Sequence, residues 1–136
     1  MTSSSAGKSP APPCTGRAQT SSSVKSRVAS HPGDARAKLQ KLFDITSSPE
    51  GLAVELAVRD WSRRDGDVAG RLRQADNRRM AFVRSLFGEF CADEDDVEVR
   101  SMMSYSMVIG SYFVAVEHGD KTRSQVLQLA IDHLLR

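Results

Sequence analysis

The side chains of this chain that could do nucleophilic, acid–base or metal chemistry are few and far apart in sequence. The histidines are His31, His118 and His133, and the cysteines are Cys14 and Cys91. No serine or cysteine has a histidine at a spacing typical of a nucleophile and its base, and no Cys-x-x-Cys pair or metal-ligand motif is present. The sequence therefore predicts a protein that is not an enzyme and that uses no metal or cofactor.

Four consecutive carboxylates, Asp93, Glu94, Asp95 and Asp96, form the densest group of possible cation ligands. They lack the alternating oxygen ligands, the central glycine and the terminal bidentate glutamate of a calcium loop. Carboxylates that precede an apolar run favour a helix N-terminus instead, because the macrodipole attracts negative charge there. We expect this run to begin a helix.

Arg79 lies within an apolar stripe of a predicted helix, where a charged side chain needs a partner. The acids placed to pair with it are Glu55, Asp60 and Asp76. An ion pair is the favoured interpretation, and contact with a ligand is the alternative. The other arginines of that helix share it with acids, so we interpret them as a solvated face rather than a nucleic-acid surface.

Composition indicates one soluble domain preceded by a different kind of segment. The chain has 136 residues, of which 40% are hydrophobic and 26% charged. Residues 1–33 hold four basic and no acidic side chains, which leaves 15 basic and 17 acidic residues for 34–136. The slightly acidic second part is a poor nucleic-acid surface, because phosphate binding needs clustered positive charge.

Residues 1–33 are predicted to be disordered. They contain nine serines and four prolines, and such a segment buries too little apolar surface to offset the entropy of ordering it. Basic and Ser-rich composition is also typical of an organellar transit peptide, but regular amphipathic spacing is missing, as is the apolar core of a secretory signal. Two cysteines in unlike settings fit a reducing cytoplasm best.

Residues 34–136 are predicted to form an all-α, five-helix bundle, since start signals and 3.6-residue periodicity recur without a strand pattern. Asp34 caps the first helix, which ends near Thr46. Ser47-Ser48-Pro49-Glu50, with a proline early in the first turn and a glutamate three residues after Ser47, begins the second, which runs to about Arg64. The remaining boundaries are a third helix from about Val68 to Phe90 with Asp67 as its cap, a central helix Val97–His118 closed by Gly119, and a last helix from Asp120 or Thr122 onward.

The central helix is predicted to organise the fold. Residues 101–116 carry no charge, and apolar side chains surround most of the helix. This run of 16 residues is short for a membrane span, which needs roughly 20 apolar residues. A helix that is apolar nearly all round is buried on nearly all sides. So short a chain cannot cover every face, and the sequence therefore predicts a soluble homodimer.

The stretch from Ser48 to Phe87, SPEGLAVELAVRDWSRRDGDVAGRLRQADNRRMAFVRSLF, resembles the effector-binding domain of tetracycline-repressor (TetR/AcrR) family regulators. The likeness consists of a proline-led helix rich in Leu and Ala, a Trp followed by basic residues and Asp, and paired arginines before an apolar-Arg-apolar run. It extends less specifically to Arg136, so that it covers about residues 34–136.

The resemblance implies a transcriptional regulator whose C-terminal bundle binds a small hydrophobic effector and whose last two helices pair with those of a second subunit. Family members carry a helix-turn-helix and a connecting helix before this bundle, and residues 1–33 have neither the length nor the periodicity for them. We therefore expect a truncated form without a DNA-reading helix, in which direct DNA binding does not follow the family's mechanism. The alternative is a ligand-free interaction subunit that pairs with an intact paralogue.

The resemblance also selects site residues among the large or polarizable side chains expected in the bundle interior. The effector candidates are Trp61, Arg79, Met80, Phe82, Met102, Tyr105, Ile109 and Phe113. The dimer candidates are apolar or small residues of the last two helices: Met107, Val108, Ser111, Tyr112, Ala115, Val126, Leu127, Ala130, Ile131 and Leu134.

Overall fold

The computed structural model describes the backbone of residues 15–136 and the side chains of residues 22–136. Its six helices are α1 (Thr15–Ala29), α2 (Ala35–Thr46), α3 (Pro49–Ser62), α4 (Gly66–Phe87), α5 (Glu94–Gly110) and α6 (Arg123–Leu134). Apart from an isolated bridge between His118 and Lys121, these residues contain no β-structure. The all-α prediction is confirmed, with six helices where five were expected.

Helix α1 is the element that the sequence did not predict. Val28 in its last turn is fully buried, and Val24 packs against the same core. Because residues four apart share one face of a helix, these two valines suffice to dock the helix end. Tertiary contact at these valines therefore holds the C-terminal half of α1 on the core, in a stretch whose composition predicts disorder. The prediction for residues 1–14 lies outside the described residues.

Gly33 makes the turn that brings α2 under α1, and its φ of +113° is one that side-chain-bearing residues rarely adopt. A Cβ added there would also lie 2.9 Å from the Cβ of Ala37. Gly33→Ala should therefore lower the free energy of unfolding by about 1–2 kcal/mol in urea denaturation. Gly70→Ala is the matched control, because Gly70 is helical with nothing within 4 Å of an added Cβ. A gain of about 0.5–1 kcal/mol is expected there, and equal effects at both sites would contradict this account of the turn.

The local start signals fold at or next to their predicted positions in three helices, and the cap of α3 is Ser48, one residue after the predicted Ser47. Asp34 accepts a hydrogen bond from a first-turn amide of α2 at 3.0 Å, and Ser48 does the same for α3 at 3.4 Å with Pro49 in the first position. At the start of α6, Thr122 and Gln125 form a reciprocal capping box with distances of 3.2 and 2.8 Å. These caps satisfy amides that the helices cannot pair themselves.

The acidic turns before α4 and α5 differ in how well the sequence predicted them. The cap of α4 is Asp65, which accepts from the amides of Asp67 and Val68 at 2.9 and 3.2 Å, so the prediction of Asp67 as the cap was two residues late. Asp93 caps α5, and the other three acids of its run occupy the first turn, as expected from the macrodipole.

Helix α5 ends at Gly110 rather than at His118, which corrects the predicted length of the central helix. A turn at 111–113 leads into the extended segment 114–117, and the left-handed Gly119 serves the next turn instead of closing α5. The guanidinium of Arg123 donates to the carbonyl oxygens of Ser111 and Val116, so a residue twelve positions downstream satisfies the end of α5. No helix within residues 15–136 is long and apolar enough to cross a bilayer.

The core is organised around α4, not around α5. Helix α4 packs against α2, α3 and α5, and Phe87 near its end is fully buried. The main core joins α1, α2, α4 and α6 through eight buried side chains: Val28, Ala35, Leu39, Phe43, Val83, Leu86, Phe87 and Ile131. Helix α5 contributes Ser101 and Ser104 as its buried residues, because small side chains allow its backbone close to α4. Its opposite face is exposed.

Candidate functional site

Five side chains from α3, α4 and α5 form a polar cluster, which consists of Glu55, Arg59, Asp76, Arg79 and Tyr105. Glu55 and Arg59 lie four residues apart on α3, and Asp76 and Arg79 lie three apart on α4, spacings that place each pair on one helix face. Since α3 and α4 pack side by side, both pairs meet between them. Tyr105 of α5 closes the cluster from the third side.

The charges of the cluster are paired across the α3–α4 contact. Arg59 binds Asp76 through two hydrogen bonds of 3.1 and 3.0 Å, and it also lies 2.8 Å from Glu55. Arg79 contacts Glu55 and Asp76 at 3.3 Å each. Burial alone would lower the pKa of Arg59, but the hydrogen bond to Asp76 and the charge of Glu55 raise it above its ordinary value. Both guanidinium groups are therefore positively charged, and the carboxylates of Glu55 and Asp76 largely balance that charge.

Tyr105 is held as a neutral phenol at the centre of the cluster. Its hydroxyl donates to Asp76 at 2.6 Å and accepts from Arg59 and Arg79, each at 3.2 Å. Burial, together with the bond to Asp76, raises the pKa of Tyr105 to about 12. The phenol thus ties α5 to both neighbouring helices.

This raised pKa predicts how stability changes in alkali. An unfolded tyrosine loses its proton near pH 10, whereas folded Tyr105 keeps its proton up to about pH 12. Between these values the unfolded chain binds fewer protons, so the free energy of unfolding should fall as the pH rises. Chemical denaturation from pH 9 to 12 should show a shallower fall for Tyr105→Phe than for the wild type. Identical slopes would contradict the assigned pKa.

An open cleft of about 410 Å³ lies over the cluster, between α3, α4 and α5. Its walls include the apolar side chains of Met80, Met102 and Ile109, and its polar end is formed by Arg59, Asp76 and Tyr105, with Ser106 and Gly110 completing the lining. Arg59 Nε is buried and has no hydrogen-bond partner within the described part of the chain. Apolar walls with a few convergent polar groups are typical of sites for small molecules.

The predicted effector residues divide between this cleft and other places. Met80, Met102, Tyr105 and Ile109 line it, while Arg79 lies in the adjoining polar cluster. Trp61, Phe82 and Phe113 are not among the lining residues, and Phe113 is 69% exposed beyond the end of α5.

The interpretation of Arg79 as a structural ion pair is confirmed for two of the three proposed acids. Glu55 and Asp76 pair with it, whereas Asp60 pairs with Arg64 at the surface. Sequence reasoning missed Arg59, although its position four residues after Glu55 was a usable signal for an ion pair on α3.

The predicted dimer residues are also distributed over several environments. Tyr112 and Ala115 are exposed, and a further six are half-buried: Met107, Val108, Ser111, Val126, Leu127 and Ala130. Ile131 and Leu134 are 6% and 7% exposed. These two side chains belong to the interior of the subunit rather than to its surface, because the face of α6 that bears them turns inward.

Among residues 22–136, no group of three or more His, Cys, Asp or Glu side chains is arranged to hold a metal ion. Cys91 is a half-buried free thiol, and burial raises its pKa. A raised pKa leaves little reactive thiolate near neutral pH.

Comparisons with known proteins place no further constraint on this site. No model of a known protein family, no curated protein and no solved structure matches the chain. The resemblance to tetracycline-repressor regulators stays a prediction from residues 34–136.

Proposed function

We propose that residues 34–136 form the small-molecule-sensing and self-associating domain of a transcriptional regulator of the tetracycline-repressor type. The cleft between α3, α4 and α5 binds the effector. The stretch Ser48–Phe87, which carries the resemblance, supplies α3 and α4 and thereby most of the polar cluster under the cleft. DNA reading is no part of the function proposed for these residues.

The observation that carries this proposal is the combination of apolar walls with a polar end formed by Arg59, Asp76 and Tyr105. Polar groups at one end of an otherwise apolar cleft orient a ligand that carries a matching polar atom. The two arginines of the cluster face two carboxylates, so the site has little net charge to attract an ion. The effector is accordingly a neutral, largely apolar molecule with a hydrogen-bond acceptor.

A matched pair of probes tests this ligand class. Benzophenone carries a carbonyl acceptor, and diphenylmethane has nearly the same shape without one. We expect benzophenone to raise the melting temperature of the full chain more than diphenylmethane does, since a ligand that binds the folded state alone stabilises it. Irradiation of bound benzophenone should then label Met80 or Met102, as read by mass spectrometry.

The neighbouring exposed methionines provide the control for this experiment. Met102 lines the cleft and Met103 does not, although the two side chains are similarly exposed, at 57% and 54%. Met102→Glu should remove the benzophenone shift by placing a charge in the apolar wall, and Met103→Glu should retain it. Equal shifts from both probes, or labelling away from the cleft, would contradict the proposal.

The alternative, a ligand-free interaction subunit, is favoured by the apolar surface that α5 and α6 leave open. Val99, Met103 and Phe113 are 53%, 54% and 69% exposed, and Leu129 of α6 is 54% exposed. Self-association without a melting shift from either probe would support this alternative.

A further inference from the structure

The wall that α5 contributes to the cleft runs along the helix over more than two turns. It consists of Met102, Tyr105, Ser106, Ile109 and Gly110. Side chains of a helix all tilt toward its N-terminus, so their order along the axis follows their order in the chain. With a rise of 1.5 Å per residue, Met102 and Gly110 lie about 12 Å apart along the axis. The wall is therefore long enough to contact several groups of one ligand.

The polar end of the cleft meets this wall between two apolar side chains. Tyr105 comes three residues after Met102 and four residues before Ile109. Its hydroxyl donates to Asp76 at 2.6 Å and accepts from Arg59 at 3.2 Å, so the three polar groups lie together at this point. Measured along α5, they have an apolar neighbour on the N-terminal side and another on the C-terminal side.

The C-terminal part of the wall is formed by small residues on either side of Ile109. Ser106 and Gly110 lie four residues apart, which places them one turn from each other on the helix. A Cβ added at Gly110 would meet nothing within 4 Å. The φ of Gly110 is not positive, so the backbone does not require a glycine there. The missing side chain therefore leaves open space beside Ile109 rather than making room for a packed neighbour.

We propose that the effector carries its hydrogen-bond acceptor between two apolar groups. This inference rests on the proposed effector function and specifies the arrangement of that ligand. One apolar group lies against Met102, and the acceptor lies at the polar groups around Tyr105. The second apolar group lies along Ile109, in the space that Gly110 leaves open. The ligand class is a neutral ketone, ester or ether whose polar atom is flanked on both sides.

A molecule with its acceptor at one extremity fits this arrangement less well. Its apolar part can cover the wall on one side of Tyr105 only, and the side chain of Met102 or of Ile109 then stays in contact with water. The free energy gained by apolar burial is roughly proportional to the area removed from water. A central acceptor is therefore the arrangement that uses both apolar parts and the polar groups together.

Two isomeric ketones test the position of the acceptor. Both para-methylbenzophenone and para-acetylbiphenyl carry two aromatic rings and one ketone, which lies between the rings in the first and at one extremity in the second. In calorimetric titration of the full chain, para-methylbenzophenone should bind at least about threefold more tightly, a factor within the net contribution of one hydrogen bond. Equal affinities, or tighter binding of para-acetylbiphenyl, would overturn the arrangement and leave the effector function in place. Binding of neither ketone would contradict both.

Gly110→Leu tests the second apolar contact, because its side chain fills the space beside Ile109. The affinity for para-methylbenzophenone should fall at least about tenfold through the steric clash. Acetophenone has a ring on one side of its ketone only, so its affinity should fall less than about twofold. Gly70→Leu is the matched control, since Gly70 is exposed on α4, is not a lining residue and has nothing within 4 Å of an added Cβ. It should change neither affinity.

Circular dichroism verifies that both leucine variants are folded. If Gly110→Leu does not fold, Gly110→Ala should still weaken para-methylbenzophenone more than acetophenone, because the added methyl group points into the same space. Equal losses for the two ketones, or no loss for either, would overturn the role of Gly110 and with it the contact of the second apolar group.

Discussion

Phe87→Ala should lower the free energy of unfolding by about 3–5 kcal/mol, the range observed when a large aromatic side chain is removed from a packed core. Phe87 is fully buried in the last turn of α4, the helix that contacts α2, α3 and α5. Its ring lies 5.7 Å from that of Phe90, and its removal leaves a cavity in the core shared by α1, α2, α4 and α6. Urea denaturation followed by circular dichroism measures the loss.

Phe113→Ala is the matched control for Phe87→Ala, because Phe113 is 69% exposed in the turn after α5. Its substitution should change the free energy of unfolding by less than about 0.5 kcal/mol. If Phe87→Ala is too unstable to purify, Phe87→Leu should cost less and keep the comparison measurable. Equal losses at both positions would show that α4 is not the centre of the core.

Asp76→Ala is expected to have the second largest effect on stability, about 1–3 kcal/mol. It removes a partner from both arginines of the polar cluster and the acceptor of the Tyr105 hydroxyl. The side chains of Asp76, Arg59 and Arg79 are about a quarter exposed, so water recovers part of the loss that a deeply buried pair would suffer.

Asp60→Ala provides the comparison for Asp76→Ala, since it removes the same type of side chain from an ion pair of 2.6 Å with Arg64. Both partners there are more than 65% exposed, and such surface pairs contribute roughly 0–1 kcal/mol. Denaturant titration should therefore show a clearly larger loss in the free energy of unfolding for Asp76→Ala than for Asp60→Ala. A loss for Asp60→Ala as large as that for Asp76→Ala would contradict the structural role of the cluster.

Most features that the sequence predicted correctly are local ones, and the pairing of Arg79 with Glu55 between α3 and α4 is an exception. Asp34 and Thr122 cap helices where caps were expected, and Ser48 does so one residue after Ser47, because each side chain bonds an amide within its own first turn. The pairing of Arg79 with Asp76 is also local, since the two lie three residues apart on one helix. Such interactions need no knowledge of the tertiary fold.

The features that the sequence did not predict depend on distant partners. Helix α1 is docked by Val28 on a core assembled from three other helices, and α5 ends where Arg123 from the start of α6 binds the carbonyl oxygen of the C-cap residue Ser111. The choice of α5 as the organising helix followed its hydrophobicity. Its buried residues are instead two serines, so apolar content alone did not identify the centre of the fold.

The candidate site was predicted only in part, because some of its contacts also join residues that are distant in sequence. Met80, Met102, Tyr105 and Ile109 line the cleft, as expected for large side chains at helical spacing, although their role in binding stays a prediction. Arg59 was missed because its bonds to Asp76 span α3 and α4. A charged residue on a predicted helix gives no sign of such a contact until the helices are placed side by side.

Methyl-labelled methionine tests the central claim, that the α3–α4–α5 cleft binds the effector, most directly. Met80 and Met102 line the cleft, Met103 is exposed outside it, and half-buried Met107 packs against the core. Titration of the full chain with benzophenone, followed by NMR of these methyl groups, should shift the Met80 and Met102 signals and leave Met107 unchanged. Shifts confined to Met103 or Met107, or none at saturating probe, would contradict the account.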